Sequence, residues 1–461
     1  LTRRFNSRHS PANTVKSRRP RTDKQVTTLP TGGRDIVRAR WWPGSGSVSN
    51  GGPAEVIGVL GRAAGLVTIG ADISPVEVVD ELVSHALTDR ASDIHIEPQE
   101  YRVRVRYRVD GVLHEVLQMP LELAAGVVSR IKVLAGMDIV EKRRPQDGQF
   151  IFRTADARGE RAVDVRVSTT LGVNGEKVVL RLLESERRRV RYAELGMHPE
   201  TARAWAAAAA NTSGMLLCSG PTGSGKTTTL YATLGELDSV GANLCSIEDP
   251  VEYVVDTITQ IQINPAIGTT FATGLRSLLR QDPDVILVGE IRDPETAKIA
   301  VQAALTGHLV LSTVHARDSV SALYRFLEMG VEPYLVTSSV LTVMAQRLLR
   351  RTCPTCARPA EPTPEQRAIY LRHGGTPKAE FLVGTGCSAC GGTGYHDRVG
   401  VYEMLRMTPS IRALVADGAN ADVVRFEAIA EGMPTLITEA VRLVSEDLTT
   451  LDEVLRVIAA E

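Results

Sequence analysis

The sequence has 461 residues with 53 basic and 54 acidic side chains, a net charge of −1. That length exceeds what one hydrophobic core organises and calls for two or three domains. With 43% hydrophobic and 23% charged residues the composition is that of a globular protein; it excludes whole-molecule charge as a route to nucleic acid, and no apolar run approaches the ~18 residues of a membrane helix.

Residues 1–70 read as a tail or linker rich in Arg, Ser, Thr, Pro and Gly. The chain starts at Leu1 and not Met, which fits a fragment or a processed form. Leu1 to Pro30 carries arginines but no apolar core of a signal peptide, so no direct transmembrane span is expected and membrane association runs through a partner. Between Arg3 and Lys24 eight basic residues face Asp23 alone. A solvated tail and an electrostatic tether both fit such a block. Trp41-Trp42 stands out as a short docking anchor.

Residues 71–186 predict a small α/β domain. Ser74 and Pro75 open a helix, and Val76, Val79, Leu82, Val83 and Ala86 recur at helical spacing. Ser92 to Pro98 alternates as a strand. Tyr101 to Val109 alternates again, with Val103, Val105, Tyr107 and Val109 on one face and Arg102, Arg104, Arg106 and Arg108 on the other. Asp110-Gly111 predicts a hairpin turn. A helix over 121–136 and strands near 149–154, 162–169 and 177–183 complete an antiparallel sheet. The arginine row is expected to be a solvated strand face. Arg181 differs, because it sits in Val178 to Leu183, where a charge is costly unless paired. Arg181 and Arg166 are therefore candidates for reaching phosphate.

After a linker over 187–197, residues 198–461 predict the nucleotide domain. Gly220-Pro221-Thr222-Gly223-Ser224-Gly225-Lys226-Thr227 satisfies G-x-x-x-x-G-K-[ST]. The apolar run 214–219 precedes it as a buried parallel strand, and a helix through Thr228 follows. Backbone N–H groups and a helix dipole then face the phosphates of ATP. Lys226 would neutralise the β- and γ-phosphates, and Thr227 would ligate Mg²⁺.

Two more strands end in acids. Asn243 to Ile247 leads to Glu248-Asp249-Pro250-Val251-Glu252, and Asp284 to Val288 leads to Gly289-Glu290. Gly289 stands where many such enzymes place an Asp that supports Mg²⁺, so Glu248, Asp249 or Glu290 must supply the carboxylate. Arg276 and Arg280 lie four apart and share a helix face. His308 and His315 flank the strand Leu309 to Val314 and are candidates to sense the γ-phosphate. Cys353-Pro354-Thr355-Cys356 and Cys387-Ser388-Ala389-Cys390 are two matched knuckles, the pattern of a tetrahedral Zn²⁺ site. Cys218 and Cys245 fall on apolar strands and are expected in the core.

Taken together, the phosphate loop, Ile247-Glu248-Asp249-Pro250-Val251-Glu252, Arg280 to Asp293 and Thr306-Gly307-His308 resemble the secretion ATPases of type II secretion and type IV pilus systems, within them the GspE/PulE group. The match spans roughly 72–410, and Gly289 is typical of it. The resemblance implies a RecA-like P-loop domain preceded by a small PAS-like α/β domain. A tetracysteine zinc subdomain at 350–400 and helices over 401–461 follow. It implies a cytoplasmic homohexamer docked on inner-membrane secretion platform proteins, with no nucleic-acid partner. It makes Glu248 the water-activating base and Glu290 the Mg²⁺ support. Arg166 and Arg181 become phosphate contacts from the first domain, and Arg276 and Arg280 line the cleft. Where the family has Thr-Asn-Asp, this chain reads Ala316-Arg317-Asp318.

Overall fold

Two patterns of apolar residues build two seven-stranded sheets. The computed structural model describes residues 67–68, 73–156, 159–184 and 191–459, all within the unit Gly51–Glu461. The basic tail, Trp41-Trp42 and residues 187–190 of the expected linker lie outside the described residues.

The first sheet contains β1 (Val67–Thr68), β2 (Asp93–Pro98), β3 (Val103–Val109), β4 (Val112–Met119), β5 (Gln146–Asp156), β6 (Gly159–Gly172) and β7 (Gly175–Glu184). Their order is β1-β4-β3-β2-β7-β6-β5. Every pairing is antiparallel except β1 with β4. Helices Pro75–Thr88 and Leu121–Leu134 cover one face. Ser74 caps the first of them by accepting from the Val76 N–H. Asp110 and Gly111 take φ of 49° and 84°, which is what a two-residue hairpin between right-twisted strands requires.

The valines and Tyr107 of β3 are buried and its arginines are not, as period-2 alternation dictates. The arginine face is paired more fully than a solvated row. Glu97 on β2 accepts from Arg104 at 3.1 Å and Arg106 at 2.8 Å and pairs with Lys177 at 2.9 Å. Asp93 pairs with Arg108 at 3.5 Å and Arg181 at 3.1 Å. Burial by itself would raise the Glu97 carboxyl, but the hydrogen bonds from Arg106 and Lys177 hold it at about 2. A folded value below the unfolded one stabilises the protein above the unfolded value and ceases to do so as pH falls toward 2. Glu97→Gln is accordingly expected to destabilise the protein at pH 7 by about 1–2 kcal/mol. The gap in melting temperature between variant and wild type should close as the pH falls below ~4; a gap that is constant with pH refutes the ionic origin.

The second sheet contains β8 (Gly214–Ser219), β9 (Leu244–Glu248), β10 (Thr259–Gln262), β11 (Val285–Val288), β12 (Leu309–Val314) and β13 (Val340–Thr352). After the small pair β14 (Ala357–Ala360) and β15 (Phe381–Gly384), β16 (Tyr395–Arg406) joins it. The order is β10-β9-β11-β12-β8-β13-β16. All pairings are parallel up to β13, and β16 runs antiparallel to β13. Every residue of β8, β11 and β12 is buried, because a central parallel strand is covered on both faces. Cys218 and Cys245 are buried there, as expected. Helices Phe271–Leu278, Pro294–Leu305 and Ser319–Glu328 pack on one face. Helices Pro199–Ala209 and Lys226–Glu236 pack on the other.

The chain then runs into helices Pro409–Ala416, Ala421–Ala430 and Leu436–Ser445. Buried Glu403 on β16 joins them to the sheet. Its carboxylate accepts from the Ser319 N–H at 2.9 Å and the Leu436 N–H at 3.2 Å, at the first residues of two helices, where a negative charge is favoured.

Candidate active site and metal centre

The loop 220–225 leaves β8 and enters the helix Lys226–Glu236. Gly220, Gly223 and Gly225 have φ of 144°, 78° and 89°, which residues with a Cβ rarely adopt. The loop therefore curls tightly between the strand and the helix. Pro221, Thr222 and Gly223 are exposed, as is Thr227 on the first helical turn beside Thr228, while Ser224 and Lys226 are buried. The Lys226 ammonium donates to the Gly220 and Pro221 carbonyls at 2.8 and 2.9 Å. It sits inside the curl where a phosphate oxygen would meet it.

β9, β11 and β12 are parallel to the β8 ladder, so their carboxyl ends share the loop's edge of the sheet. Glu290 follows β11 and pairs with Arg292 at 2.7 Å and with His315 at 3.5 Å. Burial lowers the Lys226 ammonium from its ordinary value, and the carboxylate that most opposes this is Glu290's. Glu290 therefore lies within electrostatic reach of Lys226, and His315 pairs with Glu290.

Glu248 ends β9 on the same edge, but it is only 3% exposed. Its carboxylate accepts from the Tyr231 hydroxyl, the Ser246 hydroxyl, and the Gln260 amide at 3.2 Å. β11 and β12 stand between β9 and β8, a span of ~14 Å at the usual strand spacing. Tyr231 bridges that span because it lies on the helix that starts at the phosphate loop. Burial and the Glu248 hydrogen bond both push the Tyr231 hydroxyl far up, so it remains a donor.

Gly289 has a local reason. A Cβ there would lie 3.2 Å from the Ile247 carbonyl oxygen and 3.3 Å from the Glu248 Cα. Any Cβ there, an Asp's included, would press on the β9 backbone, and the carboxylate that follows β11 in this chain is that of Glu290.

The four knuckle sulfurs lie within 4.8 Å of one another. Sγ–Sγ separations are 3.9 Å for Cys353–Cys387, 3.8 Å for Cys356–Cys390 and 3.7 Å for Cys387–Cys390. A tetrahedron with Zn–S bonds of ~2.3 Å has edges of about 3.8 Å, whereas a disulfide needs ~2.05 Å. The Gly386 N–H points at the Cys356 sulfur at 3.2 Å, and the Cys387 and Gly394 N–H groups at the Cys390 sulfur at 3.2 and 3.3 Å. Amides aimed at sulfur suit thiolates. The donor set fits Zn²⁺.

The profile of the family described as "Type II/IV secretion system protein" matches residues 71–456. The chain belongs to this family of secretion ATPases. It is similar to the type II secretion system protein HxcR of Pseudomonas aeruginosa, 47% identical over 382 residues, covering 83% of this chain and 77% of that one. It is also similar to the type IV pilus assembly ATPase PilB of Myxococcus xanthus, 44% identical over 390 residues, 83% and 68% covered. Among solved structures, the ATPase DotB of Legionella pneumophila shares the fold. The TM-score is 0.61 at 18% identity, with 84% of this chain and 96% of that one covered.

In this secretion ATPase several expected residues stand elsewhere than their spacing suggested. His308 precedes β12 and His315 follows it, so a six-residue strand puts them ~20 Å apart. The imidazole of His308 meets the Ala303 carbonyl at 2.9 Å, at the far edge of the sheet from the loop. Only His315 joins Glu290. Arg276 pairs with Glu295 at 2.7 Å, and Arg280 donates to the Arg276 carbonyl at 2.8 Å. The expected common helix face is not formed, because the helix ends at Leu278 and Arg280 lies in the turn beyond it, and both guanidinium groups are engaged there and not at the loop.

Arg181, in a run where a charge is costly unless paired, is paired with Asp93 at 3.1 Å. It is 64% exposed, because alternation in β7 turns it to the open face of the first sheet. Its cross-strand neighbour is Arg166, which donates to the Val251 carbonyl at 3.3 Å, in the segment after Glu248. That contact joins the first domain to the segment after β9, and Arg90 paired with Asp397 on β16 is another such contact. Asp318 caps the helix Ser319–Glu328 and pairs with Arg425 at 2.9 Å.

Sequence reasoning missed Tyr231 and Gln260, which hold Glu248, and it missed Gln346 and Arg347. A signal existed for the last two. They interrupt an apolar strand, and they are 1% and 2% exposed, so each must find polar partners.

Proposed function

We propose that this chain is the ATP-hydrolysing motor that powers pseudopilus assembly and protein export in a type II secretion system. The observation that carries the proposal is the phosphate loop closed on Lys226, with the Glu290–His315 pair on the same edge of the sheet, in a chain of this family. In this role Lys226 and the loop amides grip the triphosphate, Thr227 holds Mg²⁺ with Glu290 behind it, and His315 follows the γ-phosphate. Arg166, beside Val251, brings a cation from the first domain, with Arg181 next to it. Glu248 activates water once its carboxylate exchanges the Tyr231 hydroxyl for solvent. The four cysteines hold Zn²⁺ as a structural brace. Residues 71–186 and 198–461 act as two lobes that move about the linker. The motor works as a homohexamer in the cytoplasm, attached to the inner membrane through platform proteins.

A second function, type IV pilus assembly, is supported by the similarity to PilB. Deleting the chain in its own cell separates the two. Lost export with intact pili carries the first; lost pili with intact export carries the second. For the chemistry, Glu248→Gln is expected to bind ATP normally and to turn it over about 10²–10⁴-fold more slowly, the usual contribution of a general base. Wild-type turnover in that variant removes Glu248 from the mechanism.

A further inference from the structure

β13 runs beside β8 in parallel, and their ladder ends at Ala345 opposite Ser219. The next residue of β8's chain enters the phosphate loop. The next residue of β13 is Gln346, which therefore lies under that loop. Its Nε2 donates to the Ser224 carbonyl at 2.7 Å, across 122 residues of sequence. The orientation of the carboxamide is forced, since only its N–H end can pair with a carbonyl. The Gln346 backbone presses on the loop as well. A Cβ on Gly220 would lie 2.5 Å from the Gln346 carbonyl oxygen, and one on Gly225 would lie 3.1 Å from Nε2.

Arg347 extends the contact. Its guanidinium donates to the Gln346 carbonyl at 3.1 Å and to the Arg317 carbonyl at 2.8 Å. Arg317 is two residues beyond His315. One dipeptide thus ties the phosphate loop to the segment that carries the histidine. Burying a glutamine and an arginine in a strand is unfavourable unless their groups are bonded, and here the bonds go to backbone atoms at the nucleotide edge. Oε1 of Gln346 and Oγ of Ser224 are buried without hydrogen-bond partners among the described residues. The carboxamide is therefore held through a single donor, and that donor sets where the Ser224 peptide points.

We infer that Gln346 is a positioning residue for ATP. It fixes the curl of the phosphate loop through the Ser224 carbonyl and, through Arg347, keeps the loop in register with the His315 segment. The inference rests on the loop being the triphosphate site. The residue touches no substrate atom, so its removal should weaken capture of ATP more than the chemical step.

The test uses the full chain with Gln346→Met, which keeps the length of the side chain and removes the donor, and Gln346→Glu, which removes the donor and adds a charge. Kd for a fluorescent ATP analogue, KM and kcat for ATP, and amide exchange over residues 220–228 are measured. In Gln346→Met, Kd and KM should rise about tenfold, the worth of one hydrogen bond, with kcat changing much less. Amide exchange in 220–228 should speed up without nucleotide present. Gln346→Glu should be weaker still.

Wild-type Kd, KM and exchange in either folded variant overturn the inference, as does failure of both variants to fold, which would make Gln346 structural. Lys226→Ala is run alongside. If it too binds ATP normally, the site assignment itself has failed; if it does not bind while Gln346→Met does, the inference alone has failed.

Discussion

Lys226→Ala is expected to bring ATP hydrolysis to background. The Lys226 ammonium is the cation inside the curl of residues 220–225, bonded to the Gly220 and Pro221 carbonyls. Alanine keeps the glycine torsions and the Gln346 bond to the loop, and gives up the two hydrogen bonds from the ammonium to loop carbonyls. It removes the charge that meets the β- and γ-phosphates as negative charge builds on the transferred group. Losing one such preorganised donor costs about 10²–10³-fold in turnover, and a full charge on a phosphate exceeds a neutral donor. Phosphate release and binding of a fluorescent ATP analogue check this, with melting temperature as the control for folding. Burial already holds the ammonium below its ordinary value, so the site is built around a cation it must compensate. The variant should melt at or slightly above the wild-type temperature. Phosphate release at the wild-type rate would place the chemistry elsewhere.

Cys387→Ser carries the second large effect. Three sulfurs and a hydroxyl are a poorer set for Zn²⁺ than four thiolates, since the hydroxyl does not ionise at neutral pH. Structural zinc contributes on the order of 10 kcal/mol of apparent binding energy in small modules, far beyond any one hydrogen bond. The knuckle cysteines form a small cluster of their own, held otherwise by hydrogen bonds among the knuckle segments themselves, such as Cys353 N–H to the Gly394 carbonyl at 2.9 Å and Gly392 N–H to the Cys387 carbonyl at 2.9 Å. The insert between the knuckles is better anchored. Tyr370 stacks edge-on to Phe381 with ring centroids 4.9 Å apart and meets the Ser445 hydroxyl at 2.8 Å. Lys378 pairs with Asp447 at 2.6 Å. The knuckle should therefore open first. Elemental analysis should fall from one metal per chain to none, and proteolysis should cut near 353–356 and 387–394. Full retention of metal would refute the four-cysteine site.

Much of the molecule is legible from short stretches. The alternation in β3, the Ser74-Pro75 helix start, the Asp110-Gly111 turn and the apolar run of β8 each predict a local backbone, and each has it. Residues 146–156 show the limit: β5 begins three residues before the expected start, because the ladder with β6 extends the strand beyond its own apolar core. The candidate site was legible wherever its members are close in sequence, as in the phosphate loop and each cysteine pair. It was less so for Glu248, whose partners Tyr231 and Gln260 lie on other elements, 17 and 12 residues away.

The principle that a buried charge must be paired was sound, but the sequence put it on the wrong arginine. Arg181 and Arg347 both sit in apolar runs. Only the sheet they join decides that the first is exposed and the second enclosed. Likewise both histidines flank β12, and only the direction of the strand decides which one pairs with Glu290.

The sequence by itself determined the phosphate loop, the metal knuckles and the two kinds of sheet, because each depends on torsions and periodicities set by neighbouring residues. The tertiary structure alone decided that His315 pairs with Glu290 on the loop's edge of the sheet, that Arg166 reaches Val251, and that Gln346 supports Ser224. Those contacts depend on strand order, and strand order is settled by which apolar faces bury one another across a hundred residues or more, a competition that no local pattern records.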